Sequence, residues 1–312
     1  MMSRGSALIP AQTQASSGPA RPTGGTMFYR LGLAIIGAVL MLTSGLAPVS
    51  ASAASWNSGY VALGDSFAAG TGVGDASGPC LASSSAYPEL LSTRAVSVAC
   101  SGATSASLTA QIAAANDLSP AASDQGQRTL FRAQQVTLTL GGNDVGWLSV
   151  LRSCLAPSPS CGAATQASAL AISSQPARTA AAVQQLRLAA PHARILVTGY
   201  PKLFDPAAAT CTVAPGLAVQ SAALAPLDQL ALGLNRAIAA GVTAAGDPNV
   251  EYVDVTDEFE GHGLCRGADA WINPLIILGV DPVTSAPVIS PASFHPNAAG
   301  ERAYADALRP AL

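Results

Sequence analysis

Five short runs of apolar and β-branched residues alternate along the chain with alanine-rich stretches, and this alternation limits the folds available to it. Continuously apolar runs are typical of strands buried on both faces of a parallel sheet, whereas the alanine-rich stretches favour helix. The pattern predicts an α/β fold with a central five-stranded parallel sheet and helices on both faces. The predicted strands, with their following turns, are residues 60–66, 96–100, 135–144, 194–201 and 250–255. The predicted helices are residues 87–94, 107–115, 167–190, 216–245 and 297–312, with a break or kink expected near Pro176 and near Pro226.

Residues 27–53 have the composition of a secretory signal peptide. Arg30 precedes an uncharged apolar run at residues 31–47, and the small residues Ala51 and Ala53 follow it in an A-x-A arrangement. A positive flank, an apolar centre and a small-residue exit indicate cleavage during export. A permanent membrane anchor is the alternative, because the apolar run is close to the length of a spanning helix.

The parts of the chain on either side of this segment differ in character. Residues 1–26 are rich in Gly, Pro, Ser and Thr, and they are predicted to be a disordered or mis-called extension ahead of a start at Met27. Residues 54–312 show no repeat and no linker, so they are predicted to form one secreted domain without a membrane span.

The charge of the exported part argues against nucleic acid as a partner. Of 15 basic residues, Arg4, Arg21 and Arg30 precede the predicted cleavage site, whereas all 18 acidic residues follow it. Lys202 is the only lysine in the sequence. Binding to phosphates needs clustered Lys and Arg, which this composition does not offer.

All six cysteines also follow the predicted cleavage site, and an even number in an exported chain suggests disulfide bonds. Zinc binding is the rival interpretation, but the sequence contains no Cys-x-x-Cys pair. The favoured pairing begins with Cys154–Cys161, which closes a loop rich in Pro and Ser. The sequence alone does not select among the possible pairings of the other four cysteines, and Cys80–Cys100 with Cys211–Cys265 is favoured because it leaves no loop nested inside another. Neither a metal nor a cofactor is expected, since no nucleotide-binding fingerprint is present.

Three predicted strands end in short polar motifs, and a histidine precedes the last predicted helix. The motifs are Gly-Asp-Ser ending at Ser66, Cys-Ser-Gly-Ala-Thr containing Gly102, and Gly-Gly-Asn-Asp containing Asn143. Taken singly, each has a structural explanation as a helix cap, a positive-φ glycine or a turn. Together with His295 they supply a nucleophile, a base and oxyanion donors. Because loops after parallel strands meet at one edge of the sheet, we expect a single site for acyl transfer.

The four segments resemble, in order and spacing, the blocks of the SGNH (GDSL) hydrolase family over residues 60–305. The sequences EFEGHGLC at residues 258–265 and FHPNAAG at residues 294–300 further resemble the secreted actinobacterial lipases, esterases and phospholipases of that family. The resemblance implies a flavodoxin-like three-layer α/β/α sandwich.

The resemblance also implies roles for the motif residues. Ser66 is then the nucleophile and His295 is its base. The Ser66 N–H, the Gly102 N–H and the Asn143 side-chain amide then form the oxyanion hole.

One position departs from the family pattern. The family's usual final block is Asp-x-x-His, but the residue three before His295 is Ala292. A backbone carbonyl can replace the acid by accepting a hydrogen bond from the imidazole, and Ser293 is the first candidate, with Ala292 the second. A carboxylate from Asp281 or Asp269 is an alternative, and an inactive enzyme is another.

Other polar and aromatic residues near the motifs are assigned structural roles. Asp65 and Asp144 are expected to support their turns by accepting hydrogen bonds from backbone N–H groups. His262 is also expected to be structural. Trp147 and Trp271 are expected in the core rather than in the wall of an acyl pocket.

These observations predict a secreted, monomeric serine ester hydrolase that cleaves carboxylic esters, most suitably those of lipids, through an acyl-enzyme with a Ser–His dyad or triad. Its partner is then a small-molecule or lipid ester substrate. A carbohydrate acetyl esterase and a phospholipase are the enzymatic alternatives. The non-enzymatic alternative is an exported binding module with a degenerate hydrolase site.

Overall fold

The central sheet consists of the five strands that the sequence predicts, although each is shorter than its predicted run. The computed structural model describes residues 59–117, 129–155 and 160–311, so the predicted extension at residues 1–26 and the predicted signal peptide at residues 27–53 lie outside the described residues. The sheet strands are β1 (Tyr60–Gly64), β2 (Val96–Ser97), β3 (Gln135–Thr139), β4 (Arg194–Thr198) and β7 (Val250–Val253).

All pairings within this sheet are parallel, and the strand order is β2-β1-β3-β4-β7. Numbered by the sheet strands alone, this is the 2-1-3-4-5 order of flavodoxin-like folds. Val61 of β1 lies opposite both Val96 and Val136 in register. The carboxyl ends of β1, β3 and β4 therefore meet at one edge, where ligands bind in open α/β sheets.

Helices flank this sheet in two groups. One group contains α3, α6 and α7, in which α6 packs against both neighbours, and the other contains α2 packed on α8. None of the helices in the described parts of the chain is long and apolar enough to cross a bilayer. The eight helices described are α1 (Ser66–Ala69), α2 (Tyr87–Leu91), α3 (Leu108–Asp117), α4 (Trp147–Cys154), α5 (Ser160–Ser173), α6 (Gln175–Ala189), α7 (Ser221–Ala245) and α8 (Ala298–Leu308).

The two faces of the sheet differ in polarity. Thr137 and Thr139 alternate along β3 and therefore point to the same face. On that face the Tyr60 hydroxyl lies 2.9 Å from the Thr137 hydroxyl, and the Tyr87 hydroxyl lies 2.9 Å from that of Thr139. Thr198 of β4 continues the row, 2.6 Å from Thr139. These buried hydroxyls satisfy one another, so the polar row is compatible with a dry core.

Two predicted helices have different limits in the structure. The long stretch at residues 167–190 is divided at Ser174, and Pro176 occupies the first turn of α6. The N–H that proline lacks would have no partner within the helix at that position. Helix α7 begins only at Ser221 and continues through Pro226 without a break. The prediction that this helix starts at residue 216 was wrong, because residues 217–220 form a strand.

Two antiparallel hairpins lie outside the central sheet, and the sequence analysis predicted neither. The first joins β5 (Thr210–Ala214) to β6 (Leu217–Gln220), and the second joins β8 (Ile277–Val280) to β9 (Pro287–Ile289). In β5, two exposed threonines alternate with the buried Cys211 and Val213, but only over this short run. The strands β6, β8 and β9 show no such alternation, so they lack the usual signal of a half-buried strand.

The structure joins the six cysteines in the pairing that the sequence analysis favoured. Cys80–Cys100 ties the segment after α1 to the loop after β2, and Cys154–Cys161 links α4 to α5. Cys211–Cys265 connects β5 to the short 3₁₀ segment at Leu264–Asp269.

Candidate active site

Ser66 and His295 meet at the carboxyl edge of the sheet. Ser66 is the first residue of α1, separated from the end of β1 by Asp65 alone, and His295 lies in the loop before α8. The Ser66 Oγ atom lies 2.6 Å from His295 Nε2. Ser66 is buried, whereas the His295 side chain is partly exposed to a cleft.

The turn that carries Ser66 is tightly held. A Cβ atom at Gly64 would collide with the Thr139 carbonyl oxygen, so only glycine allows β1 to end this close to β3. The Gln111 side chain accepts from the Gly64 N–H at 3.0 Å and donates to its carbonyl at 2.7 Å. Asp65 caps α1 by accepting from the Phe67 N–H at 3.0 Å, as expected for its turn-supporting role. Gln111 was not predicted from the sequence.

The other nitrogen of His295 faces a backbone carbonyl. His295 Nδ1 lies 3.0 Å from the Ser293 carbonyl oxygen. Because a carbonyl can only accept, Nδ1 carries the proton and Nε2 is left to accept from the Ser66 hydroxyl. Phe294, which lies between Ser293 and His295 in the chain, has a φ of 62°, an uncommon backbone conformation for a bulky residue. This conformation turns the chain back at Phe294.

The alternative orienting groups lie elsewhere. The Ala292 carbonyl accepts from the backbone N–H of His295 at 3.3 Å and from Asn273 Nδ2 at 3.2 Å. The Asp281 carboxylate accepts from backbone N–H groups inside its own hairpin. Among the described residues, no carboxylate pairs with His295.

Asn273 was also missed by the sequence analysis, although it holds the histidine loop in place. Its Nδ2 donates to the Gly72 carbonyl at 2.7 Å, and its backbone N–H donates to the His295 carbonyl at 2.9 Å. Gly72 lies so close to this loop that a Cβ atom there would collide with the Pro296 carbonyl. The segment after α1 and the histidine loop therefore pack as one unit.

The surroundings of His295 favour the neutral imidazole. Burial lowers the pKa of His295 to about 4, and the carbonyls of Ser293 and Pro291 oppose this shift without cancelling it. At neutral pH the ring is therefore unprotonated at Nε2 and can accept a proton.

The predicted oxyanion donors line the same cleft as Ser66 and His295. Gly102 has a φ of 83°, and neither its N–H nor that of Ser66 has an acceptor among the described residues. Asn143 Nδ2 donates one hydrogen to the Ala103 carbonyl at 2.9 Å, which leaves its second hydrogen available. The Asp144 carboxylate accepts from the Ser105 N–H at 2.9 Å, so it supports the neighbouring loop rather than only its own turn.

Tyr200 connects the turn that carries Ser66 to the loop of Asn143, and the sequence analysis did not single it out. Its hydroxyl donates to Asp65 Oδ2 at 2.6 Å and accepts from the Gly142 N–H at 2.9 Å. Burial raises the pKa of Asp65 to about 7, although the hydrogen bonds from Tyr200 and Phe67 lower it. The signal in the sequence that could have identified Tyr200 is its position, since it is a polar residue just after β4 at the same edge of the sheet.

The cleft has a volume of about 560 Å³ and mainly apolar walls. Helix α4 contributes Trp147 and Leu151, while Leu203, Leu234 and Ile289 line other parts. Trp147 therefore packs on the core and also lines the cleft. By contrast, Trp271 stacks on His262 with ring centroids 3.5 Å apart, consistent with structural roles for both. Among the described residues, no cluster of three or more His, Cys, Asp or Glu side chains could hold a metal ion.

The sequence is similar to those of known lipases. Residues 62–303 match the sequence profile of the GDSL-like lipase/acylhydrolase family. A lipase from Streptomyces rimosus is 32% identical over 279 residues, which cover 84% of this chain and 91% of that protein. Lipase 1 of Streptomyces coelicolor is 28% identical over 268 residues, covering 83% of this chain and 88% of that protein.

Two crystal structures share the fold over most of the chain. The extracellular lipase from Streptomyces rimosus superposes with a TM-score of 0.65 at 28% identity, covering 82% of this chain and 100% of that one. Phospholipase A1 from Streptomyces albidoflavus NA297 superposes with a TM-score of 0.64 at 29% identity, covering 81% and 98%.

Proposed function

The chain belongs to the GDSL-like lipase/acylhydrolase family, and from this premise we propose that it hydrolyses carboxylic esters of lipids through an acyl-enzyme on Ser66. The observation that carries the proposal is the hydrogen-bonded series from Ser66 Oγ through the His295 ring to the Ser293 carbonyl. A serine aligned with a neutral base, which is itself held by a third group, is the arrangement needed for nucleophilic catalysis.

In the first half-reaction, Ser66 Oγ attacks the ester carbonyl carbon while its proton passes to His295 Nε2. The negative charge that develops on the carbonyl oxygen is stabilised by the N–H groups of Ser66 and Gly102 and by Asn143 Nδ2. The intermediate then collapses, the bond to the alcohol oxygen breaks, and that oxygen takes the proton from Nε2. The acyl group remains on Ser66.

In the second half-reaction, water attacks the acyl carbon and gives a proton to His295 Nε2. Collapse of this second intermediate breaks the bond to Ser66 Oγ, which recovers the proton, and the carboxylic acid leaves. In both halves the Nδ1–H of the transient imidazolium keeps its hydrogen bond to the Ser293 carbonyl, which fixes the ring orientation as a carboxylate does in a triad.

The cleft favours a long acyl chain over an acetyl group. Its apolar walls enclose about 560 Å³, most of which an acetyl group would leave unfilled. Burial of methylene groups against these walls would contribute roughly 0.8 kcal/mol for each group. This argues against the carbohydrate acetyl esterase alternative.

A phospholipid is the second candidate substrate. Arg152 is the one cationic side chain among the residues that line the cleft, and it is exposed. A guanidinium at that place suits the phosphate of a headgroup. The similarity to a phospholipase A1 supports this candidate as well.

We also propose that the protein is exported and acts as a monomer. Three disulfides are typical of a protein that matures in an oxidising compartment, and the signal segment 27–53 agrees with this. All the proposed catalytic and oxyanion groups come from one chain, so a second copy is not needed to complete the site.

The test is hydrolysis of p-nitrophenyl esters from acetate to palmitate by the purified protein and by a Ser66→Ala variant. We expect activity only with Ser66 present, and preference for medium or long chains. Activity retained without Ser66 would contradict the mechanism. A fluorophosphonate probe separates the enzyme from a binding module, because only an activated serine reacts with it.

A further inference from the structure

The hairpin formed by β8 and β9 exposes an unusual amount of apolar surface. Val283 at its tip is 88% exposed, Leu278 and Val280 are each 64% exposed, and Ile277 is 54% exposed. Exposed apolar residues that occur singly need no explanation, but a contiguous group on one element marks an interaction site.

The hairpin has a defined, hydrogen-bonded structure. Its strands pair from Ile277 opposite Ile289 to Val280 opposite Pro287, with one register shift between Ile277 and Gly279. The Asp281 carboxylate accepts from the backbone N–H groups of Val283 at 2.9 Å and Thr284 at 2.7 Å, which closes the turn. Asp281 is the only charged residue between Trp271 and His295. The hairpin therefore presents its apolar side chains on a fixed support that carries no cation.

This surface is continuous with the cleft. Leu275, just before β8, and Ile289, in β9, both line the cleft that holds Ser66 and His295. Leu148 of α4 and Leu217 of β6 also line the cleft while remaining 50% and 39% exposed, so they lie at its mouth. The exposed apolar side chains thus extend from the mouth of the cleft onto the hairpin.

We infer that the β8–β9 hairpin docks this protein on the surface of an uncharged or zwitterionic lipid aggregate, with the mouth of the cleft against the lipid. This inference rests on the proposed function, because an ester with a long acyl chain resides in such aggregates rather than free in water. The absence of Lys and Arg from the hairpin favours a neutral surface, since attraction to anionic lipid needs clustered cations. Burial of apolar side chains at the interface supplies the affinity.

Binding to phosphatidylcholine vesicles by sedimentation tests the inference. The Ser66→Ala protein is used, so that binding is measured without hydrolysis. The docking variant adds Leu278→Asn, Val280→Thr and Val283→Thr, none of which lines the cleft. The matched control adds Leu170→Gln and Leu188→Gln, which remove side chains that are 67% and 86% exposed on α5 and α6.

We expect the docking variant to bind at least about tenfold more weakly than the Ser66→Ala protein, while the control variant binds equally well. Binding should change little between low and high salt, because the contact is apolar. Equal binding by the docking variant, or no binding by the Ser66→Ala protein, would overturn the inference. So would a requirement for anionic lipid, or a dimer in analytical ultracentrifugation that the docking substitutions dissociate.

A second measurement keeps this inference separate from the proposed function. The three docking substitutions placed in the protein that retains Ser66 should leave hydrolysis of dissolved p-nitrophenyl acetate unchanged and lower hydrolysis of an aggregated long-chain ester. If the protein with Ser66 hydrolyses no ester, the proposed function fails. Vesicle binding is still measured, because it needs no turnover.

Discussion

His295 Nε2 and Ser66 Oγ lie 2.6 Å apart, although 229 positions separate the two residues in the chain. The opposite side of the ring meets the Ser293 carbonyl at 3.0 Å. A neutral acceptor therefore occupies the place that a carboxylate holds in a Ser-His-Asp triad. This substitution explains how a histidine with Ala292 three residues before it can still be held in a productive tautomer.

The first prediction concerns the oxyanion hole. Asn143→Ala should lower kcat by roughly 10²–10³-fold, because it removes a donor to the charge that develops in the transition state. Steady-state kinetics on a soluble ester measure the effect. Asn249→Ala is the matched control, because Asn249 is exposed and precedes β7 at the opposite edge of the sheet. A loss below about tenfold would remove Asn143 from the hole.

The second prediction concerns the dependence of activity on pH. Because burial holds the pKa of His295 at about 4, the acid limb of kcat/KM should lie near pH 4 rather than near the usual value for histidine. A pH–rate profile measures it. Asp65→Asn is the control, because the pKa of Asp65 is raised to about 7 and could add a second inflection. An acid limb at or above pH 6.5 in both proteins would contradict the assignment.

The third prediction concerns Tyr200, which we regard as a positioning residue. Tyr200→Phe removes the donor to Asp65 and the acceptor for the Gly142 N–H. We expect a loss of about 1–3 kcal/mol in the free energy of unfolding, because buried groups are left unpaired. We also expect kcat to fall roughly 10–100-fold with KM nearly unchanged, because the Ser66 turn and the Asn143 loop are no longer held in a fixed relative position.

Tyr252→Phe is the matched control for this change. The Tyr252 hydroxyl is buried and has no hydrogen-bond partner among the described residues, so its removal should not lower stability. Urea unfolding and steady-state kinetics on both variants separate the positioning role from simple loss of a hydroxyl. Equal effects at the two positions would show that the Asp65–Tyr200–Gly142 connection has no special importance.

The fourth prediction concerns the stability of the fold above pH 4.5. Glu301 is fully buried in α8, where Oε2 accepts from the Tyr87 N–H at 2.8 Å and Oε1 has no partner among the described residues. Burial raises the pKa of Glu301 well above its usual value, so the folded state keeps the proton that the unfolded state releases. The stability contribution of this group is therefore full below about pH 4.5 and declines as pH rises.

Glu301→Gln should remove this decline. We expect its melting temperature to equal or fall below that of the wild type at pH 4 and to exceed it at pH 8, by about 2–4 °C for each kcal/mol recovered. Thermal unfolding followed by circular dichroism across this range measures the difference. Glu260→Gln, at an exposed position, should show no such crossing. A constant difference at all pH values would contradict a protonated Glu301.

The sequence determined the sheet, and it marked the candidate site residues. Runs rich in apolar and β-branched residues mark β1, β3, β4 and β7, because such residues are favoured in the strands of a parallel sheet that is covered on both faces. Ser66, Gly102, Asn143 and His295 could be proposed from the sequence, because each belongs to a short motif at the end of a predicted strand or before the last helix, and the structure brings all four to one cleft. The favoured cysteine pairing agrees with the structure, although the sequence alone did not select it among the possible pairings.

Only the tertiary structure decided how these residues are held and what surrounds them. Gln111, Tyr200 and Asn273 contact the site through single side chains from distant positions, and no local pattern marks such contacts. The choice of the Ser293 carbonyl over that of Ala292 depends on the backbone turn at Phe294. The exposure of the β8–β9 hairpin could not be read from its apolar sequence either, because the same residues would suit a buried strand. Local sequence patterns indicate which residues are suited to burial. Long-range packing determines which of those residues are actually buried.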